Sequence, residues 1–256
     1  LKKSLIIFLI ILGFNQLQSQ GFDWEYSARL PYKIPRAFIG GGYSLSYNQN
    51  IADFPFFENN VYSLNFHNSN GIINQFLVSF QYWEKPIIAV FANVFYKSIK
   101  TDFSQRMTYP RSNGIDNWET TYQTDMNESR DYLGISIGGK YRLFGSYFSI
   151  GAQVNSAFLL SSSISASEQI ISPKSEYYID GSKKRDIKEM HIPDFKNLQI
   201  FPEIFIGYDF SPIKGLYMHA NLKMQIPIFN STISDKYYDL PIGIEITIYK
   251  AIKMLN

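Results

Sequence analysis

The chain has no cysteine, three histidines, three tryptophans and no real excess of either charge. The absence of cysteine removes disulfide frameworks, thiolate metal sites and a lipid anchor at a signal-cleavage cysteine. Lys and Arg number 24 and Asp and Glu 22, a net charge of +2. That balance leaves no basic footprint for nucleic acid. His67, His191 and His219 have no metal-ligand spacing among them, so no metal and no cofactor is expected. H-E-x-x-H and Walker patterns are missing, and no catalytic residue is assigned.

Long apolar runs are also scarce. The clearest spans Leu5 to Phe14, after Lys2 and Lys3 and before the polar Gln16–Gln20. It is too short for a helical membrane span and has the layout of a secretory signal. Residues 1–20 are therefore expected to be a signal peptide. Residues 21–36, with Trp24, Tyr26 and Tyr32, are expected to form a periplasmic N-terminal segment. A mean hydropathy of −0.14 suits a water-soluble protein, and equally a barrel in which half of each membrane strand faces a polar lumen.

What the chain has in abundance is alternation. From Leu216 to Ile226 every even position is apolar or small, and the odd ones are Tyr, His, Asn, Lys and Gln. A period of two marks a strand with a different solvent on each face. The apolar face continues for roughly the length a tilted strand needs to cross a bilayer. The same pattern predicts strands over about 37–48, 73–83, 87–99, 132–143, 147–160, 198–210 and 240–252. Pro202 inside one of them suggests a bulge or a poorly paired stretch.

Tight connections, Glu84-Lys85-Pro86, Phe144-Gly145-Ser146 and Ser211-Pro212-Ile213-Lys214, take turns with long polar stretches at 49–72, 100–131, 161–197 and 229–239. Short periplasmic turns and long outer loops over an even number of strands are the outer-membrane pattern. On the apolar face Tyr82, Tyr141, Phe148 and Tyr208 lie next to short turns, and Tyr47, Tyr96 and Phe158 next to long loops. That is the layout of two interfacial girdles. The expected fold is all-β: an eight-stranded antiparallel up-and-down transmembrane β-barrel over residues 37–256, in the cell outer membrane.

The signal segment, the eight-strand layout and the Asn/Ile/Lys/Tyr-rich composition resemble the PorT-like small outer-membrane barrel proteins of Bacteroidota, akin in architecture to OmpA and OmpX. The last strand, Gly243-Ile244-Glu245-Ile246-Thr247-Ile248, looks like the signal read by the barrel assembly machinery. It departs from it in ending Lys253-Met254-Leu255-Asn256 instead of on an aromatic. The resemblance implies members ranging from passive barrels to components linked to protein secretion.

Lumen-facing charges are the candidate site. Glu203, Lys223 and Glu245 fall near mid-height on three consecutive strands, and charges in so narrow a barrel need partners. Lys140 and Arg142, with Lys97 and Asp209, point inward nearer the ends. Asp116, Asp125 and Glu128 are acidic but lack calcium-loop spacing. The functional expectation is a structural or interaction protein, adhesion- or secretion-associated, that acts through long outer loops on a filled barrel. The alternative is a barrel enzyme acting on lipid or peptide, with His219 or a loop histidine as base. The expected partners are outer-membrane lipid and lipopolysaccharide, the assembly machinery and a protein not identifiable from sequence.

Overall fold

A computed structural model describes residues 36–252 apart from 59–60, 86, 113, 144–146, 188–193 and 214–215. The expected signal peptide, nearly all of the segment 21–36, and His191 lie outside the described residues. The strands are β1 (Ala37–Glu58), β2 (Val61–Lys85), β3 (Ile88–Ser112), β4 (Asn117–Arg142), β5 (Phe148–Ser172), β6 (Lys184–Ile187), β7 (Leu198–Ile213), β8 (Leu216–Gln225) and β9 (Lys236–Ile252). All pairings are antiparallel. Eight strands close a ring in which β1 pairs with β9 and β4 with β5, while the short β6 pairs with β5 outside the ring.

The ring turns its apolar residues outward. Tyr43, Leu45, Phe76, Val94, Ile137, Val154, Ile206, Leu222 and Ile246 are all exposed, Ile137 by 67%. A water-soluble barrel of the lipocalin kind would bury this face, so the band needs lipid. Tyr82, Tyr141, Phe148 and Tyr208 cluster at the short-turn end, with Phe148 and Tyr208 rings 4.9 Å apart. Tyr47, Tyr96 and Phe158 mark the other edge, and all three are exposed.

The principal correction concerns the connections. Residues 49–72 and 100–131, expected as loops, are almost entirely strand, and so is 161–172. β1 to β5 run for 22 to 26 residues, more than twice the span a bilayer requires. They leave the band and continue as tall hairpins. Beyond the band the solvent outside is water, so the apolar residues swap faces. On β1 the outward apolar set Ile39, Tyr43, Leu45 and Tyr47 gives way to the inward set Ala52, Phe54 and Phe56.

Inside the hairpin end, Phe54, Phe56, Leu64, Phe66, Phe103, Met126, Phe195 and Tyr237 form one buried cluster. β2 and β3 stop pairing at Asn70↔Asp102. Phe66 and Phe103, with rings 5.7 Å apart, pack next to that seam.

Within the membrane the lumen is packed with side chains. Three glycines lie directly under aromatic rings. A Cβ on Gly134, Gly138 or Gly151 would come within 2.5, 2.5 and 2.2 Å of Phe95, Phe91 and Phe205 respectively. The large inward aromatics therefore fit because their paired residue on the neighbouring strand has no side chain at those points. Gly138 and Gly139 are neighbours on opposite faces, and a Cβ on Gly139 meets nothing closer than 3.7 Å. Gly138→Val is expected to lower unfolding stability by about 1–3 kcal/mol through overpacking, and Gly139→Val to stay within about 0.5 kcal/mol of wild type. Urea titration of the refolded barrel in lipid vesicles measures both, and equal effects would mean that β4 faces the other way.

Candidate functional site: the charged lumen

The polar face of each strand points into the ring, and its charges fall into three tiers. At the short-turn end, Asp209 on β7 accepts from Lys140 at 2.8 Å and from Arg142 at 2.6 Å, both on β4. Both cations also lie over the Trp83 ring, at 4.9 and 4.5 Å from its centroid. That contact adds an aromatic quadrupole to the ion pairing.

The middle tier is centred on Lys223 of β8. Its Nζ lies 2.9 Å from Glu245 on β9 and 3.4 Å from Glu203 on β7. Lys223 also donates to Gln75 at 3.3 Å. Glu203 accepts from Gln153 and Asn155 at 2.5 and 3.0 Å. Lys97 donates to Gln225 at 3.3 Å and sits over Phe201. The sequence-derived group thus divides in space: Glu203, Lys223 and Glu245 meet, while Lys140 and Arg142 belong with Asp209.

The third tier lies above the apolar band and was missed in the sequence. Arg130 on β4 is fully buried. It pairs with Asp239 of β9 at 2.9 Å and also with Glu128. Its guanidinium stacks over Phe195 and Tyr237 at 4.6 and 4.9 Å. Asn48, Asn50 and Ser231 donate to Asp239 at 2.8, 3.1 and 2.9 Å, and the Tyr237 hydroxyl donates to Glu128 at 2.8 Å. Glu128 was grouped with Asp116 and Asp125 in an expected loop. It points inward, whereas Asp125 faces out and accepts from Ser104 at 2.6 Å.

Burial alone would raise the Asp239 carboxyl, but Arg130 overrides it and holds the group down to about 2. Glu128, where desolvation outweighs Arg130, is shifted upward. The two have opposite consequences. A depressed carboxyl stabilises the fold above its unfolded value and loses that contribution as pH falls through the folded value. From an ordinary 3.8 down to about 2, Asp239 is expected to contribute about 2 kcal/mol. Glu128 gains stability on protonation and opposes the loss at higher pH. Unfolding free energies measured between pH 5 and 2 should therefore fall steeply only below about pH 4. Asp239→Asn should flatten that limb, and an unchanged limb would remove Asp239 from the acid response.

Lys97, Arg130, Lys140, Arg142 and Lys223 face Glu128, Glu203, Asp209, Asp239 and Glu245, so the formal charges of these ten groups cancel. Cancellation is what a poorly hydrated interior demands. Charges within and lipid-facing Ile, Val and Phe without are the reverse of a soluble core.

The chain is a transmembrane β-barrel. A closed, even-stranded antiparallel ring with this band and these girdles is an outer-membrane architecture. No family model matches the chain, and no curated protein matches it significantly. Among solved structures, the barrel is similar to Neisserial surface protein A, at 8% identity and a TM-score of 0.36, over 83% of this chain and 97% of that one. It is also similar to Ail, the attachment invasion locus protein of Yersinia pestis, at 11% and 0.28 over 83% and 97%. The outer membrane protease OmpT of Escherichia coli gives 11% and 0.28 over 84% and 94%. The barrel assignment itself rests on this chain's own pairing and band.

The histidine proposed as a base is the remaining candidate. His219 Nε2 lies 3.4 Å from Ser149 Oγ and 3.8 Å from Asp209 Oδ1, and Nδ1 lies 3.5 Å from Lys140 Nζ. A serine–histidine–carboxylate relay needs the carboxylate on the nitrogen opposite the serine. Here both share one nitrogen and an ammonium faces the other. His67 is exposed beside Asp53 at 3.3 Å. No cluster of potential metal ligands occurs among the described residues.

Proposed function

We propose that this chain is a non-enzymatic, non-conducting outer-membrane barrel that acts as a structural or interaction protein through its hairpin end. The observation that carries this reading is the continuation of β1 to β5 beyond the band as a sheet with its own buried core. A displayed surface built on paired strands and packed aromatics is held in one shape before any partner arrives, which reduces the ordering cost of binding. The loops expected from sequence are thus replaced by a rigid platform with hairpin tips. With short turns in the periplasm, this platform stands outside the cell. Kinship with the PorT-like barrels, adhesion or secretion-associated partners, and handling of β9 by the assembly machinery all belong to the same reading.

Two measurements test it. Liposomes containing the refolded barrel should show no sugar-driven swelling, because eight strands leave an interior just wide enough for side chains. Replacing Arg106–Gln123 by an Asn-Gly turn should leave the barrel heat-modifiable and remove specific proteins cross-linked to wild type in native membranes. Rapid swelling, or an unchanged cross-linking profile after the hairpin is shortened, would overturn the reading.

A further inference from the structure

The wall between β7 and β8 ends early. The last ladder pair is Glu203↔Gln225. Beyond it the Ile226 N–H donates to the Pro202 carbonyl at 2.9 Å. The reciprocal bond of an antiparallel pair is missing because Pro202 has no N–H. Pro227 follows, and the Ile228 N–H donates back to the Ile226 carbonyl at 2.9 Å, a tight turn that leads the chain away from β7. On its other side β7 stays paired with β5 as far as Leu198↔Phe158. The period of two places the N–H and C=O of Ile200 and Leu198 on the same side as the Pro202 carbonyl, toward the place where the ladder has stopped.

The result is an open cleft of about 150 Å³, smaller than a pocket for a whole drug-sized ligand but roomy enough for a small polar group and a few methylenes. Its outer rim is Leu198, Ile200 and Phe229, each about half exposed and level with the girdle residue Phe158 through the β5 pairing. Its polar lining includes Lys196, Gln199 and Asn230. The Lys196 side chain enters no ion pair among the described residues, while the neighbouring Asp239 is already committed to Arg130. Backbone polar groups released from a ladder at the edge of a bilayer require a hydrogen-bonding partner. A cation beside them favours an anion, and an apolar rim facing lipid favours an alkyl chain.

We propose that this cleft binds a single phosphate-bearing lipid of the surrounding leaflet. The phosphate is seated by Lys196 and the backbone N–H of Ile200, and the first acyl methylenes lie over Leu198, Ile200 and Phe229.

Native mass spectrometry of the full chain refolded in a neutral detergent tests this, with dioleoyl phosphatidic acid as probe. One lipid per barrel should be retained. Dioleoylglycerol, with the same chains and no phosphate, should bind about tenfold more weakly. Inorganic phosphate at matched concentration should not displace the lipid. Lys196→Glu should weaken retention by about tenfold, and so should Phe229→Ser if Lys196→Glu fails to fold. Lys100→Glu, an exposed charge reversal on β3, should change nothing. Equal effects of the two charge reversals, equal retention of dioleoylglycerol, or displacement by inorganic phosphate would each overturn the proposal. The first two would indicate annular lipid only and the third a free-anion site.

Discussion

Arg130→Met should destabilise the barrel by about 3–5 kcal/mol, the usual cost of removing one partner from a buried ionic group. Three properties set the size of this effect. Arg130 is fully enclosed, it is shared by two carboxylates, and its guanidinium packs against both the Phe195 and Tyr237 rings. Methionine keeps some of that packing but leaves Glu128 and Asp239 without a cation. Pairing it with Asp239→Asn should restore part of the loss, since residues in one network do not add independently. Urea unfolding in lipid vesicles gives both values. A single-mutant change below about 0.5 kcal/mol would mean that water reaches this tier and that the hairpin end is not sealed.

Lys223→Met is the second. Glu203 keeps its bonds from Gln153 and Asn155, and Glu245 keeps a 3.4 Å bond from Asn221. Two buried carboxylates would nevertheless face each other within the bilayer, and a loss of about 3–5 kcal/mol is again expected. Glu203→Gln combined with Lys223→Met should recover part of it. Because this tier lies inside the band and the Arg130 tier above it, the two single changes share no partner and should add when combined. Strong non-additivity would show that the tiers communicate along the lumen.

Legibility from sequence followed the solvent. Where one face meets lipid and the other a polar lumen, as from Leu216 to Gln225, one template of period two located the strand and its facing. The trio Glu203, Lys223 and Glu245 could be placed together because all three sit inside such stretches. Above the bilayer the alternation persists but its apolar phase shifts by one residue. On β4 Leu133, Ile135 and Ile137 face out, whereas Tyr122 and Met126 face in. A template locked to a lipid-facing phase reads that shift as the end of the strand, and 100–131 then looks like a polar loop. Arg130 and Glu128 were lost with it, although they share the even parity of Ser136, Lys140 and Arg142. Asp239 likewise shares the odd parity of Glu245. Carrying the lumen parity outward, regardless of hydropathy, would have found them. The end of β8 at Gln225 lies one residue from where the alternation stops, and Pro202, flagged for poor pairing, faces it without an N–H to give.

The seam between β1 and β9 runs unbroken from Ala37↔Ile252 to Asp53↔Lys236. Until β9 arrives, β1 and β8 both present bare edges, and bare edges recruit other chains. Contacts that join sequence positions so far apart form slowly. Pairing of β9 with both β1 and β8 closes the cylinder and removes the two edges together.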